Sequence, residues 1–187
     1  MRIISGNWKG HRVKTVKGLL TRPTSAKVKE AIFNILGSKV KNAKVLDLFA
    51  GTGNLSWEAL SRGADAAVLV EKSNRAWEIA KENLDTLGFE DRSKVLKMDV
   101  LSFLHQNRRE IFDLIFLDPP YHQGLVNRVL SILKNNSLLE PNGVIIIETA
   151  SDEKILEDIF PLEIMISKEY GDTKIWFLQE AEEQGEG

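Results

Sequence analysis

The stretch KVLDLFAGTGNLSWEAL, residues 44–60, decides the fold of this chain. Its apolar run ends at Ala50, and Gly51 and Gly53 follow before a helical pattern begins. Glycines let the backbone turn tightly and approach a ligand, while amide groups of the next helix point outward. A single Gly-x-Gly is a weak signal, because an ordinary strand-to-helix turn has the same composition.

Five apolar runs, mostly continuous, alternate with helical patterns from residue 44 onward. The runs are KVLDLFA, AAVLVE, KVLKMD, IFDLIFLD and GVIIIE, and the helical patterns lie near 54–62, 73–87, 100–108, 124–135 and 152–158. Such strands are typical of a parallel sheet covered on both faces. LEIMISKEY and TKIWFLQ then flank Gly171-Asp172, which indicates an antiparallel hairpin at the sheet edge. The predicted fold class is a doubly wound α/β sheet of seven strands.

Charge is distributed unevenly along the 187 residues. Residues 1–44 contain eleven Lys or Arg and one acid, although the whole chain carries a net charge of -2. A basic block on an acidic body suggests a polyanionic partner, and a solvated basic surface is the alternative. The absence of cysteine excludes disulfides and thiolate metal sites, and we predict no metal site.

The segment before residue 44 predicts a small appendage. MRIIS and HRVKTV flank the turn-like GNWKG as a hairpin, and RPTSAKVKEAIFNILG predicts a helix capped by Thr24 or Ser25 and ended by Gly37. We therefore divide the chain into a basic hairpin (1–22), an α/β domain (23–179) and an acidic, disordered tail (180–187). No signal peptide or membrane span is expected, so we predict a cytoplasmic protein. No strong exposed apolar stripe is visible, so we predict a monomer.

Acidic residues at two further strand ends suggest an adenosine site. Glu71 lies twenty residues after Gly51 and suits the ribose hydroxyls, unless it is a surface or helix-capping acid. Asp99 could meet the adenine amino group, but a helix N-cap is the simpler interpretation. Ser56 replaces the third glycine of the dinucleotide pattern G-x-G-x-x-G, which argues against a dehydrogenase.

DLFAGTG, with its acid Asp47, resembles motif I of the class I S-adenosylmethionine-dependent methyltransferases, which have a Rossmann-like sheet. The likeness covers the five strands and the closing hairpin. In that family the acid at the position of Asp47 lies near the methionine end of the cofactor, and the acid ending strand two holds the ribose. The cofactor contacts that we predict from this resemblance are Asp47, Phe49, Gly51, Gly53, Glu71, Lys72, Asp99, Val100 and Asp118.

LDPPY, residues 117–121, follows the fourth strand and resembles the (D/N)PP(Y/F) motif of methyltransferases that modify exocyclic base amines. The carboxylate of Asp118 and the carbonyl of Pro119 could each accept one N–H and free the amine lone pair for attack. Pro119 and Pro120 fix φ, and Tyr121 offers a face for the base. A rigid turn with a packed tyrosine is the alternative. Asp in place of the commoner Asn leaves guanine N2 and adenine N6 both open.

MRIISGNWKGHRV, TRPTSAKVKEAIFNIL and LDLFAGTGNLSWEALSRGA together resemble the bacterial 16S ribosomal RNA guanine-N2 methyltransferases from residue 1 to about 178. The resemblance implies methylation of one guanine within an assembled or assembling 30S particle with its ribosomal proteins. Trp8 could stack on a base or close the hairpin, and Arg22 could bind phosphate or an acid of the body. The predicted RNA contacts are Arg2, Trp8, Lys9, Arg12, Lys14 and Arg22.

Two alternatives keep parts of this interpretation. An adenine-N6 methyltransferase acting on DNA or another RNA would use the same chemistry, although the sequence contains no obvious DNA-reading domain. An RNA chaperone that binds the cofactor without turnover would need the basic segment but not Asp118. The choice of guanine over adenine rests on the family resemblance.

Overall fold

A computed structural model describes residues 1–16, 25–106 and 110–181, and these contain one seven-stranded sheet with five α-helices. The strands are β1 (Lys44–Asp47), β2 (Ala66–Glu71), β3 (Ser93–Lys97), β4 (Phe112–Leu117), β5 (Leu139–Ala150), β6 (Leu162–Tyr170) and β7 (Thr173–Glu180). The helices are α1 (Ala26–Leu36), α2 (Asn54–Ser61), α3 (Asn74–Leu87), α4 (Val100–Gln106) and α5 (Leu125–Leu133), with a 3-10 turn after α1.

The strand order is β3-β2-β1-β4-β5-β7-β6. Strands β1 to β5 are parallel, and β7 pairs antiparallel with both β5 and β6. This confirms the predicted doubly wound sheet and the hairpin at its edge. The order reverses between β1 and β4, which is the point where ligands bind in such sheets.

Alternate residues of the central strands face two separate apolar layers. Val45 of β1 packs in the layer formed with α1, α2 and α3, whereas the next residue, Leu46, packs in the layer formed with α4 and α5. Because both faces are covered, the inner strands consist of apolar residues on either side. The carboxyl ends of the strands are left as the open edge of the domain.

The predicted helix near residues 152–158 is wrong, because this segment is irregular in the structure. Its backbone is held by side chains instead of by a helical ladder. Asn127 accepts from the amide of Leu156 at 3.0 Å and donates to the carbonyl of Lys154 at 3.3 Å. Burial of Ile155 and Ile159 therefore explains the apolar spacing without a helix.

The N-terminal segment, residues 1–16, folds back on itself in the way that the hairpin prediction requires. Arg2 and Arg12 form an antiparallel bridge, but the pairing is too short to count as strands. Ile3 and Val13 are buried in the same apolar layer as α2 and α3. We call residues 1–16 the N-terminal arm.

Two other predicted boundaries can be compared with the structure. Ser25 caps α1 by accepting from the amide of Val28 at 3.2 Å, and Gly37 ends the helix. The other candidate cap, Thr24, lies outside the described residues. Glu180 closes β7 and so belongs to the sheet, whereas residues 182–187 of the predicted tail also lie outside them. In the part of the chain that the structure describes, no helix is long and apolar enough to cross a membrane.

Candidate active site

A cavity of about 850 Å³ lies at the carboxyl ends of β1, β2, β3 and β4. This volume is within the range of small-molecule sites. Every predicted catalytic residue and all predicted cofactor residues except Gly53 line it, and so do several residues that were not predicted. The lining includes Asp47, Phe49, Gly51, Glu71, Lys72, Asp99, Val100, Asp118, Pro119, Pro120 and Tyr121, together with Met1, Thr15, Val16, Thr52, Asn54 and Leu125.

The carboxylate of Glu71 holds the loop that follows β1. One oxygen accepts from the amide of Gly51 at 2.9 Å, and the other accepts from the amide of Ser73 at 2.6 Å. Gly51 has φ 55°, and a Cβ there would meet open space, so the loop backbone faces the cavity. Each carboxylate oxygen keeps a further lone pair, which suits the ribose contact predicted for Glu71.

Asp47 is buried at the end of β1, where the hydroxyl of Ser56 donates to it at 2.7 Å. Burial raises the pKa of Asp47 to about 7; the Ser56 hydrogen bond opposes this rise, and the charge of Glu71 adds to it. Ser56, which stands where a dinucleotide site would have glycine, therefore supports the acid of the first loop. A cation placed at this carboxylate would favour its ionised form.

Two residues that were predicted to contact the cofactor, Gly53 and Asp99, have structural roles. Gly53 is not among the cavity residues; it begins α2 with φ 86°, and a Cβ there would lie 2.2 Å from Nε1 of Trp57. Its glycine is therefore explained by the close approach of that indole. Asp99 lines the cavity and also accepts from the amide of Leu101 at 3.0 Å, so the helix-capping alternative is observed alongside it.

Tyr121 is fixed by two buried side chains from neighbouring strands. Its hydroxyl lies 2.9 Å from Oε1 of Glu148, to which it donates, and 3.1 Å from the hydroxyl of Thr173. Burial raises the pKa of Tyr121 above its ordinary value, and the Glu148 charge adds to this, while Thr173 opposes it. The phenol therefore stays protonated at neutral pH. The two hydrogen bonds hold the ring of Tyr121 in one position beside the cavity.

Neither partner of Tyr121 was predicted from the sequence. Glu148 ends the buried run GVIIIE, and an acid at the carboxyl end of a parallel strand is a signal that could have been used. Thr173 lies on the strand after a hairpin turn, and only the antiparallel pairing of β7 with β5 brings it to this edge.

The N-terminal arm is attached through Glu58 of α2, which is fully buried. Its carboxylate accepts from the amides of Ile4 at 2.9 Å and Ser5 at 3.0 Å. Lys29 pairs with it at 3.0 Å and donates to the carbonyl of Arg2 at 3.0 Å. Burial lowers the pKa of Lys29, and the Glu58 charge opposes this effect. Neither residue was predicted from the sequence, because a Lys and a Glu on helices are normally solvated.

The same network reaches the cavity. Lys29 donates to the side chain of Asn54 at 2.9 Å, and Asn54 lines the cavity beside Met1 and Val16 of the arm. Farther along, buried Asn83 accepts from the amide of Lys14 at 2.8 Å and donates to the carbonyl of Thr52 at 3.0 Å. The arm and the glycine loop are thus parts of one hydrogen-bonded assembly.

The predicted RNA contacts of the arm lie mostly on its surface. Arg2, Lys9 and Arg12 are exposed, and Lys14 is an exposed residue that pairs with Glu82 at 3.0 Å. Arg22 lies outside the described residues.

Trp8 packs the N-terminal arm against the body of the domain, which is the alternative role predicted for it. Its ring lies 4.7 Å from that of Phe89, centre to centre, and packs against the apolar layer. The face of the indole that packs on Phe89 is not available to a nucleobase. Trp8 is only partly buried, and base stacking by its remaining surface stays a prediction.

Within the described residues, His, Asp and Glu side chains form no group of three or more that could hold a metal ion. A switch-point cavity with a glycine loop, two strand-end acids and an Asp-Pro-Pro-Tyr loop defines the class I methyltransferase type of domain.

Comparison with known proteins agrees with this class. The family model described as "Conserved hypothetical protein 95" matches residues 1–179. The chain is 38% identical over 177 residues to the putative rRNA methyltransferase YlbH of Bacillus subtilis, covering 94% of this chain and 96% of that one. It is 37% identical over 158 residues to the ribosomal RNA small subunit methyltransferase D of Haemophilus influenzae, covering 83% and 82%.

A solved structure is similar over nearly the whole length. The putative methyltransferase yhhF from Escherichia coli superposes with a TM-score of 0.87 at 30% identity, covering 96% of this chain and 97% of that chain. The protein belongs to the "Conserved hypothetical protein 95" family, together with the ribosomal RNA small subunit methyltransferases D.

Proposed function

We propose that the protein transfers the methyl group of S-adenosylmethionine to the exocyclic N2 amine of a guanine in small-subunit (16S) ribosomal RNA. The observation that carries this proposal is the meeting of the glycine loop and the Asp118–Tyr121 loop in one cavity. One loop suits an adenosine cofactor and the other suits a base amine. The rRNA methyltransferase names of the relatives support the substrate class.

The residues that line the cavity fit the cofactor. The Gly51 backbone faces the space, Glu71 retains acceptor capacity for the ribose, and Asp99 lies farther along the same edge. Buried Asp47 suits the cationic amino group of the methionine part, because an opposite charge relieves the cost of burying its carboxylate. When bound, S-adenosylmethionine supplies an electrophilic methyl group on a positively charged sulfur.

The Asp118–Tyr121 loop prepares the amine. Asp118 and the carbonyl of Pro119 each accept one N–H of the base amine, and the ring of Tyr121 supports the plane of the base. With its hydrogens held by these two acceptors, N2 would have its lone pair free for the methyl group that bound S-adenosylmethionine would supply. The extra proton on N2 passes to Asp118 or to water.

The arm is the part of the protein that we expect to bind RNA beyond the target base. Arg2, Lys9 and Arg12 are exposed cations on one short segment, which suits phosphate contacts. A chain of 187 residues has little surface for sequence readout, so the shape of an assembled or assembling 30S particle and its ribosomal proteins would supply specificity. The protein would work as a monomer in the cytoplasm.

The proposal is tested by incubating the protein with S-adenosylmethionine labelled in its methyl group and three substrates. These are unmodified small ribosomal subunits, naked small-subunit rRNA and duplex DNA, each digested to nucleosides afterwards. We expect label in N2-methylguanosine from ribosomal material only. Label in N6-methyladenine would replace the substrate with the adenine alternative. Cofactor binding without any transfer would favour the non-enzymatic RNA chaperone.

A further inference from the structure

We propose that the Asp118–Tyr121 loop selects guanine because it offers the base hydrogen-bond acceptors, and that Asp118 accepts from the guanine N1–H as well as from N2. This inference rests on the proposed function, since it assumes that a base amine enters the cavity at this loop.

The side chain of Asp118 and the two prolines after it offer acceptors and no donors. Pro119 and Pro120 have no N–H, so they offer only carbonyl oxygens. A carboxylate at position 118 has two acceptor oxygens and no donor when ionised. All three residues line the cavity.

Two donors that follow the prolines, the Tyr121 hydroxyl and the His122 amide, are engaged away from the loop's acceptors. The Tyr121 hydroxyl is directed to Glu148 at 2.9 Å and lies 3.1 Å from Thr173. The amide of His122 donates to the carboxylate of Glu153 at 2.7 Å. Glu148 and Thr173 are both buried, so the phenol is held away from the base by partners that need it.

The bases differ in the hydrogen-bonding group that lies beside the exocyclic amine. The N2 amine of guanine lies beside N1–H, so that edge presents donors side by side. Amines of adenine and cytosine lie beside a ring nitrogen that is an acceptor. Such a nitrogen would face an oxygen of Asp118 without a hydrogen between them. A mispaired acceptor in a desolvated site costs about 1–3 kcal/mol, which is roughly 5-fold to 150-fold in binding or rate.

Geometry allows both contacts at once. The N2 hydrogen on the N1 side and the N1 hydrogen point the same way, and a carboxylate can accept the two in a bidentate arrangement. The other N2 hydrogen remains for the carbonyl of Pro119. Asp118 would then be both the group that holds the amine and the group that identifies the base.

The test compares guanine with 2-aminopurine, which keeps the C2 amine but has an acceptor at N1. The guanine that the protein methylates is first mapped, and rRNA is then ligated with either base at that position. Wild type and Asp118→Asn are compared on both substrates by kcat/KM. Asn keeps one acceptor and adds a donor that matches the unprotonated N1. O6 is missing from 2-aminopurine for both proteins, so a change in the ratio belongs to position 118.

We expect wild type to prefer guanine and Asp118→Asn to lower the guanine to 2-aminopurine ratio by at least about tenfold. An equal ratio in the two proteins would overturn the proposal. If the variant does not turn over, the same four affinities are measured by competition in the presence of S-adenosylhomocysteine. Failure of the proposed function is distinguishable, because wild type would then methylate no guanine and no position could be mapped.

Discussion

The ammonium group of Lys29 lies 3.0 Å from the carboxylate of Glu58, and both side chains are at most 1% exposed. This ion pair connects α1 to α2 and receives two amides of the N-terminal arm. The carbonyl of Arg2 and the side chain of Asn54 satisfy further hydrogens of Lys29. The basic arm is therefore attached to the cavity wall by a buried network.

Removing one charge of this pair should release the arm. Breaking a buried pair by replacing one partner costs about 3–5 kcal/mol, because the other charge stays buried without compensation. We expect Glu58→Gln to lower the free energy of unfolding by an amount in that range, measured by denaturant titration. Glu82→Gln is the matched control at the exposed pair with Lys14, where less than about 1 kcal/mol is expected. Similar losses in both variants would contradict the buried network.

Two glycines of the arm provide a test of its docking. Gly6 and Gly10 have φ values of 81° and 87°, but a Cβ on Gly6 would lie 1.9 Å from the carbonyl oxygen of Ser61, whereas Gly10 has open space. Both alanine variants should lose about 1–2 kcal/mol from the left-handed backbone. Gly6→Ala should lose more and should also weaken rRNA binding. Equal stability and equal RNA affinity would show that the contact with Ser61 does not hold the arm.

Tyr121 should depend on its hydroxyl to position the base. Tyr121→Phe keeps the ring but leaves the buried Glu148 carboxylate without this donor and the Thr173 hydroxyl without this acceptor, at about 1–3 kcal/mol. We expect a loss of roughly tenfold in kcat/KM for RNA, with cofactor affinity unchanged. Thr173→Val should act in the same direction, and Thr173→Ser, which restores a hydroxyl, should recover the activity. A fall in cofactor affinity of the same size would instead indicate general damage to the cavity.

The raised pKa of Asp47 should make the free energy of unfolding fall as the pH rises. Burial raises its pKa from 3.8 to about 7, so the folded protein holds a proton that the unfolded chain releases near pH 4. The corresponding stability is present below about pH 4 and is lost as the pH rises to about 7, at about 1.4 kcal/mol per pKa unit. Asp47→Asn should show a flatter profile in denaturant titrations between pH 5 and 8. The opposite slope, or the same slope in both proteins, would contradict this.

The fold was predictable because its signal repeats along the chain. Five apolar runs and a closing hairpin were enough for the fold class, and Asp47, Glu71 and Asp118 lie at strand ends as expected. The failures concern contacts made over long separations. The spacing of Ile155 and Ile159 resembles a helix, but Asn127 occupies the backbone of that segment.

Several site residues give no local signal of their function. Glu58 has the sequence context of a solvated helical acid, and only the docked arm makes it a buried acceptor. Thr173 reaches Tyr121 through the pairing of β7 with β5. Gly53 was interpreted by its motif, whereas its neighbour Trp57 supplies the steric reason. The roles of Glu58 and Thr173 depend on elements distant in sequence, which single-sequence patterns do not encode.

The most direct test of the account is methyl transfer to small ribosomal subunits by wild type, Asp118→Ala and Asp152→Ala, with cofactor affinity measured alongside. Asp152 is an exposed acid whose carboxylate lies 3.8 Å from the His122 ring beside the same loop, so it controls for lost charge. We expect N2-methylguanosine from wild type and Asp152→Ala. We expect none from Asp118→Ala, which should still bind the cofactor. Undiminished transfer by Asp118→Ala would contradict the central claim that this loop performs the reaction.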